Sequence, residues 1–309
     1  MSMPRRTPLI AAALALVTAS ALLVPGLAAW QDTRTIYLSI VDSQGNPVTD
    51  IKPEEVFLRE DNTNREVVSV VKATEPLEII LLADTSSAAG GTGMMTRQDT
   101  IKGTAELIQD IRAAFTGFVK TMGAASPESQ MQIIEFGQAA VPVTKMTSNF
   151  EDLDKGIKRL FPKPQAAAVL LEAIMESAKM LGKAKSPRRA IVILNAEPSN
   201  EQSRQQPNAM LQEVIKTNAQ VWAVSIQQGS QRNEARGLVL DALAKNTGGR
   251  REFLVGQAAI IKQMEQFAAN LAGQYAVTYR RTDGAQPRLL QVGLARQGLK
   301  MFTSIYPQK

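Results

Sequence analysis

The chain has 309 residues, 44% of them hydrophobic and 21% charged, enough for one α/β domain with a buried core and a smaller appendage. It contains no histidine and no cysteine, which removes Ser-His-Asp triads, Cys-His dyads, HExxH zinc sites, thiol nucleophiles and disulfides together. The formal charge of +6 is scattered along the chain rather than gathered in stripes, so neither a nucleic-acid partner nor a small-molecule substrate is expected.

The first element is a leader. Residues 1–6 include Arg5 and Arg6, residues 9–24 are an almost unbroken run of Leu, Ala, Ile and Val, and Gly26-Leu27-Ala28 supplies a small-x-small cleavage pattern. A charged start, an apolar run and small residues in that order read as a secretory signal peptide over residues 1–28. The mature protein is then secreted or periplasmic, begins near Ala29 or Trp30, and carries two positive charges fewer. The apolar run is also near the ~18 residues that can span a bilayer, so an N-terminal membrane anchor is the alternative. Pro25-Gly26 would end a helix there. The Arg5-Arg6 pair leaves both Sec and twin-arginine export open.

Residues 29–76 read as β structure. Residues 33–41 alternate through Ile36, Leu38 and Ile40, a turn follows at Gly45, Asn46 and Pro47, and residues 56–59 and 66–72 are further strands. A segment of this size cannot bury a core alone.

Residues 77–272 then alternate strand and helix. Apolar strands are expected at 79–83, 132–136, 190–194, 221–226 and 251–255, with a short antiparallel edge strand at 139–145. Between them Leu107, Ile111, Ala114, Phe115, Phe118 and Met122 mark one helix, Ile157 and Leu160 a short one, and Leu170, Ile174, Ala178 and Leu181 a third. Leu211, Val214 and Ile215, then Leu240, Leu243 and Ala244, then Ile260, Met264, Phe267 and Leu271 mark three more. Apolar strands separated by amphipathic helices predict an α/β fold, a doubly wound and mostly parallel sheet with helices on both faces. Such sheets bind ligands at the carboxyl ends of their strands, where the strand order reverses. Residues 273–309 close the chain with β segments at 275–280, 289–294 and 301–306, expected to pair with residues 29–76 as a small β unit.

One strand end stands out: LLADTSSAAGG, residues 81–91, where Asp84 closes a buried strand and Thr85, Ser86 and Ser87 follow. This resembles the first loop of the von Willebrand factor type A domain, Asp-x-Ser-x-Ser, which with two further loops forms a metal-ion-dependent adhesion site. The Asp42-Ser43-Gln44-Gly45-Asn46-Pro47-Val48 turn and the acidic strand at residues 54–60 are similar to those of a bacterial exported group related to that family.

In the family, carboxylate and hydroxyl oxygens hold Mg2+ and leave one position open for an acidic group of the partner. Carried over residue by residue, the resemblance leaves Asp84 and Ser86 as metal ligands, with Ser87 beside them in the ligand-binding loop. Ala88 stands at the third position, Ala166-Ala167-Ala168 replaces the Gly-Gly-Thr of the second loop, and Asn195-Ala196-Glu197 replaces the Ser/Thr-Asp-Gly of the third. The site is degenerate: three of five ligand positions lack their donor.

A structural role competes with this reading. Short polar side chains at a strand end commonly cap loop N–H groups, and a lost cap of this kind costs about 1 kcal/mol. Glu197 is a possible substitute carboxylate, with Pro198 beside it restricting the loop.

Other motifs point less far. Gly90-Gly91-Thr92-Gly93 lacks the Gly-Lys-Ser/Thr of a phosphate loop. The basic run Lys179, Lys183, Lys185, Arg188 and Arg189 suits a helix C-terminus. Glu54-Glu55 and Glu151-Asp152 sit in polar, surface-like stretches. The function these observations predict is an exported, non-catalytic protein-binding module that uses the strand-end loops without a metal, its partner another envelope or extracellular protein. Metal-dependent adhesion through Asp84 and Ser86 with Mg2+ is the alternative, and an envelope hydrolase using Asp84 or Glu197 a more distant one.

Overall fold

The computed structural model describes residues 32–86, 97–228, 232–281 and 287–307; residues 1–31, where the sequence predicts a leader, and residues 87–96 lie outside the described residues. The first strand, β1 (Asp32–Val41), ends in a turn that its sequence dictates. Asp42 Oδ1 accepts the N–H groups of Gln44 (2.8 Å) and Asn46 (2.9 Å), and Gly45 takes a φ of 88° that a side chain would resist. The Val48 N–H then returns to the Ile40 carbonyl at 2.9 Å. After a 3-10 turn at Pro53–Glu55 come β2 (Val56–Glu60), β3 (Thr63–Arg65) and β4 (Val67–Lys72). The acidic stretch expected as strand from residue 54 thus begins as a turn, with Pro53 at its first position.

The α/β core follows as β5 (Leu77–Asp84), α1 (Arg97–Ala125), β6 (Gln130–Phe136), β7 (Ala140–Pro142), α2 (Phe150–Lys158), α3 (Leu170–Leu181), β8 (Arg188–Glu197), α4 (Pro207–Lys216), β9 (Ala219–Gln227), α5 (Glu234–Thr247), β10 (Arg251–Leu254) and α6 (Gln257–Ala272). Its six strands lie in the order β10-β9-β8-β5-β6-β7, all parallel except the β7 edge. Residues 79–83 of β5 are completely buried because helices cover both faces. On one face α1 presents Leu107, Ile111, Ala114, Phe115, Phe118 and Met122 in a helical stripe, beside Leu153 and Ile157 of α2 and Ile260, Met264, Phe267 and Leu271 of α6. On the other lie Leu170, Ile174, Ala178 and Leu181 of α3, Met210 and Val214 of α4, and Leu240 and Leu243 of α5. Each of the Leu, Ile, Val, Met and Phe side chains among them contributes roughly 1.5–3 kcal/mol relative to exposure. Leu160, expected on α2, falls two residues beyond its end and is still fully buried.

The chain closes with β11 (Tyr275–Arg281), β12 (Leu290–Leu294) and β13 (Lys300–Phe302). β11 lies between β1 and β4, β13 pairs with β1, and β12 pairs with β2, which also pairs with β3. The two small sheets enclose their own apolar cluster, including Ile36, Leu38, Ile40, Leu58, Val70, Val277, Tyr279 and Leu290. The last segment is shorter as a strand than its sequence suggests, because residues after 302 leave β1 for the end of α5. There the Ile305 N–H reaches the Asn246 carbonyl at 3.2 Å, and Gly248, at φ 80°, leaves no room for a Cβ against the Thr303 backbone. Phe302 meets Trp222 of β9 at 5.7 Å between ring centroids, so the tail touches the core. Asp32–Lys309 is one compact unit.

Candidate functional site at the carboxyl ends of the strands

β5 continues to β6 on one side and meets β8 on the other, so the strand order reverses between β5 and β8. Asp84 and the Asn195-Ala196-Glu197 segment sit there, at the carboxyl ends. Backbone hydrogen bonds draw three loops together. The Thr85 carbonyl accepts the Lys163 N–H at 2.9 Å, and Ala168 exchanges bonds of 2.8 Å with Asn200 and Gln202. The Ala196 N–H donates to Asp84 Oδ2 at 2.9 Å.

Asp84 is fully buried, and its oxygens are engaged. Oδ1 accepts from the Ser86 N–H (3.0 Å) and the Ser86 hydroxyl (2.5 Å), while Oδ2 takes the Ala196 N–H. Burial pushes its carboxyl above the usual carboxylate range, while the Arg236 guanidinium and these hydrogen bonds pull the other way. Mg2+ requires near-octahedral oxygen ligands. Here Asp84 and Ser86 are bonded to each other, Ala168 and Ala196 bring no side-chain oxygen, and a guanidinium is the neighbouring charge, so these residues do not fit the ion. Among the described residues no group of three or more acidic, histidine or cysteine side chains could hold a metal. Ser87 and Ala88, like the Gly90–Gly93 stretch, lie outside the described residues.

Glu197 is not free to act as a substitute carboxylate. It is fully buried, with Oε1 within 3.2 Å of Arg236 Nη2 and 3.6 Å of Arg251 Nη2, and Oε2 accepts the Asn233 N–H at 2.9 Å. Arg236 Nη2 also donates to the Ala196 carbonyl, and its Nη1 lies 3.6 Å from Glu201 Oε2. The network runs on through Arg251 Nε to Ser225 Oγ (3.1 Å) and from that hydroxyl to Asn195 Oδ1 (3.0 Å). Glu201 faces the start of α3, where its Oε1 accepts the Leu170 N–H at 3.1 Å and the Ser203 hydroxyl at 2.5 Å. Burial raises the Glu201 carboxyl.

Sequence reasoning missed Arg236, Arg251, Glu201 and Ser225. One signal was there to find: Arg236 shares the stripe of Leu240, Leu243, Ala244 and Thr247, the buried face of α5.

Outside this centre the loops surround an open cleft of about 700 Å³, lined by Gln138, Ala139 and Ala140, by Pro164, Gln165, Ala166 and Ala167, by Val169, Glu172 and Glu176 around α3, and by Asn200, Gln202 and Arg204.

Several of the other sequence candidates hold backbone groups or form ion pairs. Arg188 is buried and binds the carbonyls of Glu75 and Leu271, and Arg189 holds those of Ala184, Ser186 and Thr217. Lys179 pairs with Glu176 at 2.7 Å. Glu55 accepts Arg296 at 2.8 Å, and the backbone N–H groups of Glu151 and Asp152 are capped by Asn149.

No family model matches the sequence, and no curated protein sequence matches it. Solved structures do match. A von Willebrand factor type A protein from Catenulispora acidiphila superposes with a TM-score of 0.52 at 9% identity, covering 90% of this chain and 75% of that one. Proximal thread matrix protein 1 of the mussel byssus gives a TM-score of 0.50 at 12% identity, over 69% of this chain and 50% of that one. BatB from Bacteroides thetaiotaomicron gives 0.48 at 15% identity, over 64% and 98%. At such identity the likeness to the first of these speaks for architecture alone: the core of this chain has a fold like that of the von Willebrand factor type A domain.

Proposed function

We propose that the protein is an exported, non-catalytic binding module that recognises another envelope or extracellular protein through its strand-end loops and needs no divalent cation. The observation that carries this reading is the cleft of about 700 Å³ at the carboxyl ends of the strands, lined by the loop of Ala166 and Ala167 and by Asn200 in the loop that follows Asn195-Ala196-Glu197. The fold supports an interaction role in general. The chemistry supports the absence of catalysis: there is no histidine or cysteine, and Asp84 and Glu197 spend their oxygens on buried partners. Export rests on the leader pattern in residues 1–28. Among the described residues no helix is long and apolar enough to cross a membrane.

Site-specific photocrosslinking in the native envelope tests the reading. A crosslinker at Gln165 or Gln202 is expected to trap a discrete protein partner, in EDTA as well as in Mg2+. The same group at Lys120, exposed near the far end of α1, is expected to trap none. Identical products from all three positions, or a Gln165 product that vanishes in EDTA, would contradict it.

A further inference from the structure

We propose that Arg236 takes the place of a divalent cation at the strand-end centre: its guanidinium is the fixed positive charge around which the loops of β5 and β8 are organised.

Three observations converge on this side chain. First, a single residue connects it to Asp84, since the Ala196 N–H donates to Asp84 Oδ2 at 2.9 Å and the Ala196 carbonyl accepts from Arg236 Nη2. Second, Arg236 lies within 3.2 Å of Glu197 and 3.6 Å of Glu201, with side-chain exposures of 1% for Arg236, 0% for Glu197 and 13% for Glu201. Third, it occupies the apolar stripe of α5, where a charge survives only if carboxylates compensate its desolvation.

Guanidinium suits the task, being planar, permanently charged and able to donate in several directions at once. A metal would need oxygens that Ala168 and Ala196 lack, whereas the guanidinium donates to a backbone carbonyl and lies within ion-pair distance of two carboxylates. Being buried, Arg236 does not meet a partner directly. It is a positioning residue that fixes the 196–201 loop, from which Asn200 lines the cleft.

Charge and hydrogen bonding are separated by thermal melting of four variants: Arg236→Lys, Arg236→Gln, Glu197→Gln and the double variant Arg236→Gln with Glu197→Gln. Arg236→Lys keeps the charge and is expected to retain most of the stability. Arg236→Gln keeps a donor without the charge, leaves Glu197 with only the more distant Arg251 as a cationic partner, and is expected to lower the melting midpoint by roughly 10 °C. Glu197→Gln in the same chain as Arg236→Gln is expected to recover at least half of that loss, so that the double variant is more stable than the sum of the single effects allows. Should Arg236→Gln fail to fold, the double variant decides: a folded protein supports the assignment and an unfolded one overturns it. Arg236→Gln as stable as Arg236→Lys, or no recovery in the double variant, would also overturn it. The inference rests on the metal-free part of the proposed function. A parent protein stabilised by Mg2+ would defeat both, whereas charge-insensitive Arg236 variants would leave the metal-free reading standing.

Discussion

Asp84 shows how burial changes the weight of a familiar side chain. As an exposed loop cap its loss would cost about 1 kcal/mol, but here the carboxylate is fully buried and holds Ser86 and the Ala196 N–H of another loop. Asp84→Ala is therefore expected to cost about 2–3 kcal/mol, because it leaves a buried N–H without a partner. Equilibrium unfolding in urea measures this, and a loss below about 1 kcal/mol would return Asp84 to the role of an ordinary cap. The position of Asp84 was legible from a buried strand ending in Asp-Thr-Ser. The cation one residue removed from it was not: Arg236 stands 152 residues later, and its charge has meaning only once Glu197 and Glu201 are folded against it. The one clue, its register with the apolar stripe of α5, is weak because a basic residue at the start of such a stripe more often marks its solvated edge.

At the scale of elements, the strands and helices of the core follow from periodicity because each buries a continuous face. The β unit was harder to delimit. β3 is only three residues long with no apolar side chain to announce it, and the last segment leaves β1 after Phe302 to dock on α5. Hydrogen-bonded acids hold its turns. The carboxyls of Asp42, Glu55 and Asp61 lie below the usual carboxylate range, owing chiefly to the Asn46 N–H, to Arg296 and to the Arg288 N–H respectively. A depressed folded pKa means the folded state binds protons less readily than the unfolded one. The stabilisation is thus complete above the ordinary carboxylate range and is lost as pH falls through the folded values. Protection of the β2 and β12 amides, relative to their intrinsic exchange rates, is expected to fall below about pH 4. Asp61→Asn should flatten that response, since Asp61 accepts the N–H groups of Arg288 and Leu289. An unchanged acid profile in Asp61→Asn would show that these bonds do not set it.

In the whole molecule the two ends of the described chain complete one another. β11 lies between β1 and β4, and Tyr279 donates to the buried Glu60 at 2.7 Å. Deleting residues 275–309 should strip both neighbouring strands of their partner, uncover Ile36, Leu38 and Val70, and yield aggregated protein. A soluble truncation with unchanged melting would contradict that dependence. The α/β architecture was readable in advance because it needs only patterning, whereas the strand-end centre depends on which distant charges meet there. The most direct test of the account is the melting midpoint of the intact chain in EDTA and in millimolar Mg2+, Mn2+ or Ca2+. A ligand that binds only the folded state adds about 2.7 kcal/mol at a hundredfold excess over its Kd, so a working metal site would be plain. The account predicts no shift with any of the three ions; a saturable rise that disappears in Asp84→Ala would contradict it and make metal-dependent adhesion the function.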